Sequence, residues 1–178
     1  MALFDRLYGS SRIASRAPEE LEAIAAHPYS YPMNIREYVD NDHGQCLALF
    51  DSNTPVYFAS TDRNDFASFL KHTKDRYLVM EHPMHGIVAC GGWYLKSDRS
   101  IGGLSWGMVH QNYQKQGFGT KLLQARIEEL RQAGAVCARI RTTQVVQRFY
   151  EKAGFKIIST EPDGFGVGLD LVEMEISW

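Results

Sequence analysis

Three cysteines in 178 residues, Cys46, Cys90 and Cys137, are too few to organise the chain. Their number is odd and they lie about 45 residues apart, which excludes both a disulfide framework and the close spacing of a zinc site, so they are expected as reduced core residues. Charge of one sign is scarce as well: 19 Lys and Arg against 21 Asp and Glu leave a net charge of -2. Nucleic acid is therefore not an expected partner, because neutralising its phosphates takes a clear surplus of Lys and Arg. No apolar run approaches the roughly 20 residues that span a bilayer, and the amino terminus lacks the apolar core of a secretory signal. A cytoplasmic location with no membrane partner is the resulting expectation. Internal repeats and low-complexity tracts are missing too. What remains is an ordinary globular composition, 44% hydrophobic and 22% charged, which argues against disorder. The length suits one domain that buries most of its apolar surface without staples.

Residues 1–32 read as an amino-terminal helical extension to a domain over 33–178. Pro18, Glu19 and Glu20 stand where a helix starts, Leu21, Ile24 and Ala25 follow at helical spacing, and His27-Pro28 ends the run. A helix packed outside the domain or the arm of a homodimer fits this stretch. From Asn34, the alternation through Ile35, Glu37 and Val39 suggests a strand, after which Asp40 or Asp42 can cap a helix through Cys46, Leu47 and Phe50. A second helix starts near Thr61 or Asp62, with Phe66, Phe69 and Leu70 on its apolar side. Two strands follow, about Tyr77 to Glu81 and Ile87 to Leu95, joined by His82-Pro83-Met84-His85-Gly86. The two histidines of that turn have no third ligand nearby, so a solvated turn is preferred to a metal site. Leu104 to His110 forms the next strand. A long helix from about Gly117 to Ala133 then buries Leu122, Leu123, the stem of Arg126, Ile127 and Leu130, with Gly134 closing it. A buried strand spans Val136 to Arg141. The last strand, Leu169 to Trp178, places Val172, Met174, Ile176 and Trp178 on one face. Strands alternating with a few helices indicate an α/β or α+β domain around one mixed sheet.

The most informative stretch runs from Val109 to Leu123, VHQNYQKQGFGTKLL: an apolar segment, a polar turn, and a helix whose first turn holds Gly117 and Gly119. The first four amides of a helix have no intrahelical acceptor and sit at the positive end of its dipole, so they attract an anion. Glycine lets that anion approach the backbone. A Walker A loop is excluded, since it needs Gly-Lys followed by Ser or Thr, and here Gly119 precedes Thr120 and Lys121. A dinucleotide fingerprint is excluded as well, because Leu122 occupies the position of its third small residue.

The remaining pattern, Gln114-x-x-Gly117-x-Gly119, resembles the GCN5-related N-acetyltransferase (GNAT) superfamily, which holds the pyrophosphate of acetyl-CoA on such a turn. A second block, Phe149-Tyr150-Glu151-Lys152-Ala153-Gly154-Phe155, follows the strand at Arg139–Thr143 and resembles that family's Phe-Tyr-x-Lys-x-Gly-Phe segment. The likeness is good over residues 101–160, weaker back to Met33 and absent before. It implies a GNAT fold, a single domain with a central mixed, mostly antiparallel sheet flanked by helices. It also implies an acetyl-CoA-dependent N-acetyltransferase that needs no metal and acts on a primary amine by direct transfer in a ternary complex. Met108, Val109 and His110 would hold the pantetheine arm and acetyl oxygen, and Gln114, Lys115, Gln116, Gly117, Phe118, Gly119 and Thr120 the diphosphate.

Acyl transfer from a thioester requires a polarised carbonyl, a deprotonated nucleophile and a protonated leaving thiolate. Tyr150 matches the family's general acid, and a phenol with a pKa of about 10 carries its proton at neutral pH. The chain departs from the family in two places. Ser105-Trp106-Gly107-Met108-Val109 has no carboxylate where many members place a Glu, leaving His110, Glu81, Asp51, Asp170 or a water chain as base. Thr143 stands where Asn commonly meets the cofactor arm, and a hydroxyl makes fewer of those hydrogen bonds. The glycine-rich stretch Pro162–Gly168 is expected to connect the last two strands beside the acceptor, with Phe165 and Asp170 as candidate contacts. The missing carboxylate admits an alternative, a catalytically silent acyl-CoA sensor or partner-binding module.

Overall fold

The computed structural model describes residues 33–97 and 100–178. The helix and dimer arm expected within residues 1–32 lie outside the described residues. Seven strands, β1 (Asn34–Glu37), β2 (Arg76–His82), β3 (Gly86–Leu95), β4 (Ile101–Val109), β5 (Cys137–Thr142), β6 (Lys156–Gly166) and β7 (Leu169–Ser177), form one sheet in the order β1-β2-β3-β4-β5-β7-β6. Four helices, α1 (His43–Asn53), α2 (Arg63–His72), α3 (Phe118–Gln132) and α4 (Gln147–Lys152), pack on it. The expected mixed, mostly antiparallel sheet is what forms: β4 with β5 is its single parallel pair.

Two aspects of the sheet create the site. The β4–β5 pairing covers only Ile101–Gly103 against Cys137–Arg139. Beyond Gly103 the strands diverge, so the groups of β4 that face β5 have no ladder partner there. On its other side, β4 bulges. Cys90 pairs with Met108 and Gly92 with Ser105, so the single residue Gly91 stands opposite both Trp106 and Gly107. Trp106 adopts a left-handed φ of 42° to make this possible.

The core divides by face. Under α1 and α2 lie Cys46, Phe50, Phe66, Tyr77 and Met108. Under α3 and α4 lie Trp93, Leu104, Leu123, Leu130, Ile140, Tyr150 and Met174. All three cysteines are buried and none is bridged in a disulfide, as their spacing suggested.

Several expected boundaries shift. β4 begins at Ile101 rather than Leu104, because Gly102 and Gly103 belong to the strand: a β-carbon there would run into Leu130 or Tyr94. The stretch Pro162–Gly166, expected as a connecting loop, belongs to β6. The register jumps from Glu161–Leu171 to Gly166–Leu169, so residues 162–165 bulge out of an exposed edge strand, where proline is tolerated. Asp42 does not cap α1 with its side chain. Its carboxylate instead accepts from Val39 N at 2.9 Å and from both Arg36 Nη atoms at 2.6 and 2.9 Å.

Candidate active site

The turn between β4 and α3 is locked from several directions. Gln114 Nε2 donates to Asn53 Oδ1 at 2.9 Å and to Val109 O at 3.4 Å, and Tyr57 Oη donates to Gln114 Oε1 at 3.3 Å. Asn53 Nδ2 also donates to Val109 O at 3.0 Å. Gln114, expected among the diphosphate contacts, thus spends its side chain tying the end of α1 to the end of β4. Gln116 Nε2 donates back to Asn112 O at 3.0 Å. Phe118 is buried with Leu78, Met80, Val88 and Leu122, which pins the first residue of α3 to the sheet.

With those side chains occupied, the main chain is what the turn offers. Lys115 has φ 61° and Gly117, the residue preceding α3, has φ 84°. The first helical hydrogen bond is Lys121 N to Gly117 O at 3.1 Å. The amides of Phe118, Gly119 and Thr120 precede it and point out of the helix end. Nothing lies within 4 Å of the place a β-carbon would take on Gly117, and on Gly119 it would meet Phe149 at 3.4 Å and Val109 at 3.5 Å. The glycines therefore open a cradle that leads toward the β4–β5 split. Of the three residues expected to supply main-chain donors on β4, His110 is already engaged: its amide donates to Val88 O at 2.8 Å. Its ring Nδ1 accepts from Asn112 N at 3.2 Å. Met108, two residues earlier and paired with Cys90, turns its amide toward β3 as well, so Val109 is the one of the three whose main chain faces the stretch where β4 has left β5.

Across the split, Thr143 follows β5. Its carbonyl accepts from Val146 N and Gln147 N at 3.0 and 3.1 Å and so starts α4. Its Oγ1 is buried and has no hydrogen-bond partner. An orphaned hydroxyl at this place fits the amide-rich arm of an acyl-CoA. Tyr150 is 5% exposed and packs edge-on against Phe149 and Phe155, with ring centroids 5.0 and 5.4 Å away. Burial raises its pKa, and the positive charge of Arg126 opposes that rise. The phenol is a proton reservoir at neutral pH.

The candidate bases are otherwise employed. Asp51 receives Arg63 Nε and Nη2 at 2.6 and 3.0 Å, Glu81 receives Arg36 Nε at 3.4 Å, and Asp170 Oδ1 accepts from Asp163 N at 3.1 Å. Asp170 and Phe165 do stand at the β6–β7 tip, which Gln144 ties to the start of α4 through Gly168 O at 2.8 Å and Asp170 N at 3.0 Å. The rings of His82 and His85 lie 4.5 Å apart, tilted by 38°. Among the described residues, no group of three His, Cys, Asp or Glu side chains could hold a metal, and no helix is long and apolar enough to cross a membrane. Sequence reasoning missed the β4 bulge, the Tyr77 hydroxyl beneath it, the Asn53–Gln114 lock and the burial of the Arg126 head group. Only Arg126 left a signal, a cation at a core position of the α3 stripe.

A mostly antiparallel sheet that opens between its two parallel strands, with a glycine turn at the mouth and a tyrosine on the far wall, defines an acetyltransferase-type domain. Residues 73–157 match the sequence model of the acetyltransferase (GNAT) domain family. Solved structures agree in fold. YncA from Salmonella typhimurium, solved with its cofactor acetyl-CoA, superposes with a TM-score of 0.66 at 19% identity, covering 83% of this chain and 94% of that one. An aminoglycoside 6'-N-acetyltransferase complexed with coenzyme A gives 0.68 at 15% identity, over 81% and 96%. The ribosomal-protein-S18-alanine N-acetyltransferase of Escherichia coli gives 0.68 at 17% identity, over 82% and 93%. None of the curated protein sequences compared with the chain matches it.

Proposed function

We propose that this protein transfers an acetyl group from acetyl-CoA directly to a primary amine within a ternary complex. The observation that carries the reading is the convergence at one end of the sheet of the Gly117–Gly119 cradle, the unpaired edge of β4 and the buried phenol of Tyr150. Acetyl-CoA supplies the activated acyl group. The amides of Phe118, Gly119 and Thr120 hold the diphosphate, Thr143 Oγ1 meets the pantetheine arm, and the main-chain donor of β4 at Val109 fixes the acyl oxygen. The amine nitrogen attacks the acyl carbon from the α1–α2 side, the carbon–sulfur bond breaks, and Tyr150 gives its proton to the departing sulfur. The nitrogen sheds its extra proton to water, since the nearby carboxylates are bound to arginines or to backbone amides.

Those occupied carboxylates also favour a second reading, an acyl-CoA sensor without turnover. Calorimetry with coenzyme A, paired with thiol release from acetyl-CoA across amino acids, polyamines, aminoglycosides and peptide amines, separates the two. Thiol release with an amine supports the transferase. Tight binding without release supports the sensor, and no binding removes both.

A further inference from the structure

The three tryptophans of the chain are used differently. Trp93 is 9% exposed and donates its indole N–H to Glu129 Oε2 at 2.6 Å, and Trp178 donates to Ala135 O at 2.8 Å. Trp106 is half-buried, and its indole N–H has no acceptor among the described residues. A tryptophan that only fills a core is buried and has its N–H satisfied. Trp106 also carries the left-handed φ of 42° at the β4 bulge, a strained conformation of the kind that gathers at functional sites.

Its surroundings are a cluster of rings. Phe66 lies 5.1 Å from the Trp106 ring, Phe58 6.1 Å, Phe69 6.2 Å and Phe50 6.4 Å. Phe50 and Phe66 are fully buried and stack 5.6 Å apart, whereas Phe58 and Phe69 are half-buried like Trp106 itself. The first two form a floor and the other three a rim. The rim lies on the α1–α2 side of the sheet, while the next residue, Gly107, turns the opposite way toward Arg126 of α3. Trp106 also belongs to the stretch of β4 that has left β5, three residues before Val109. Charge is scarce around the rim. Asp51 is held by Arg63 Nε and Nη2 at 2.6 and 3.0 Å, and Asp62 accepts from Ala59 N at 3.3 Å. A polyamine or an aminoglycoside would bring several ammonium groups to rings that cannot pair with them, and burying unpaired charge is costly.

We propose that Trp106, Phe58 and Phe69 form the acceptor-binding surface, and that the acceptor is a small monoamine carried on an aromatic or apolar body. The inference rests on the acyl-transfer reading, and the bonds made and broken are those given there. Ring packing against Trp106 orients the body of the acceptor and leaves its nitrogen toward the acyl carbon. The same apolar setting disfavours the ammonium form, so the amine is presented as the neutral nucleophile without a carboxylate beside it.

The test compares 2-phenylethylamine and tryptamine with ethylamine, spermidine, kanamycin and glycine in the thiol-release assay, using acetyl-CoA and the purified full chain. Burial of one ring predicts that kcat/KM for either arylethylamine exceeds that for ethylamine about tenfold or more. Spermidine, kanamycin and glycine should fall below both arylethylamines. In Trp106→Ala the ratio of kcat/KM for 2-phenylethylamine to that for ethylamine should drop about tenfold, while calorimetric affinity for coenzyme A stays within about twofold. A general loss of structure would lower both amines together and leave that ratio in place. Should Trp106→Ala not fold, Phe58→Ala, at a half-buried residue of the α1–α2 connection, is read by the same ratio. Preferred turnover of spermidine, kanamycin or glycine overturns the inference and leaves the transferase reading standing, and so does an unchanged ratio in the folded variant. Binding of coenzyme A without thiol release from any amine ends the transferase reading and this inference with it.

Discussion

The hydroxyl of Tyr77 donates a 3.0 Å hydrogen bond to the carbonyl oxygen of Trp106, where β4 bulges. The same hydroxyl lies 3.2 Å from Cys90 Sγ, and Tyr77 is only 2% exposed. Trp106 sits at φ 42°, a conformation that costs a non-glycine residue about 1 kcal/mol or more and persists only where its surroundings enforce it. Tyr77 is one of those enforcers. It turns the Trp106 carbonyl toward the α1–α2 face and so fixes which way the neighbouring amides of β4 point. Tyr77→Phe keeps the ring packing against Phe66 and Phe69 and removes only the hydroxyl. Its expected effect is a stability loss of about 1 kcal/mol, seen as a lower melting temperature, with a fall in kcat larger than the change in KM for acetyl-CoA. A variant with unaltered kinetics would show that the bulge holds its shape without this bond.

The two glycines of the turn make different predictions. At Gly117 a side chain meets open space but the backbone is left-handed at φ 84°, so Gly117→Ala is penalised by about 1 kcal/mol of strain and misdirects the amides that follow. At Gly119 a single methyl would make ordinary contact with Phe149 and Val109 at 3.4 and 3.5 Å. Gly119→Ala should therefore bind coenzyme A nearly as wild type does, whereas Gly119→Val, whose branches fill the cradle, should weaken binding about tenfold or more. Calorimetry with coenzyme A orders the variants, and equal affinity for Gly119→Val and wild type would remove this turn from the binding site.

Thr143 separates a role in folding from a role in binding. Its Oγ1 is buried without a partner, and an isolated protein gains by losing such a group. Thr143→Val should leave the unliganded melting temperature unchanged or raise it, and should raise the KM for acetyl-CoA several-fold because the arm loses a hydrogen bond. A variant that destabilises the free protein and binds acetyl-CoA normally would point to an internal partner for the hydroxyl.

Features governed by local chemistry were legible in the sequence. The start of α3 follows from Gly117 and Gly119 after a polar turn, and the order of strands and helices from Asn34 onward follows from hydrophobic periodicity. Features set by contacts distant along the chain were not. No local pattern marks Trp106 as a bulge residue, because the bulge arises from the count of residues opposite Gly91. The pairing of Asp51 with Arg63 and of Glu81 with Arg36 takes two candidate bases out of service through partners that only the folded chain brings near. Arg126 was placed on the buried face of its helix by spacing, yet a long side chain is expected to carry its charge out to water. The empty space above Gly91 and Gly107 keeps it inside. Pro162 and three nearby glycines spelled a loop, and an edge strand that can bulge outward accommodated them.

The Arg36–Asp42 pair predicts how the fold responds to acid. Asp42 is 4% exposed. Burial alone would push its carboxyl up, but the hydrogen bonds from Arg36 and Val39 N and the charge of Arg36 outweigh it and hold the group below the ordinary aspartate value. A carboxyl with a lower pKa in the folded than in the unfolded chain adds stability that is fully present above the unfolded value, near pH 4, and fades as pH falls through the folded value. Asp42→Asn should therefore destabilise the protein at neutral pH by about 1 to 3 kcal/mol. Its deficit should shrink in strong acid, because wild type has by then lost the same interaction. Urea unfolding of both proteins from pH 7 to pH 2 measures the difference directly. A gap that stays constant across that range would mean that the asparagine fails for lack of fit, with ionisation of Asp42 contributing nothing to the fold.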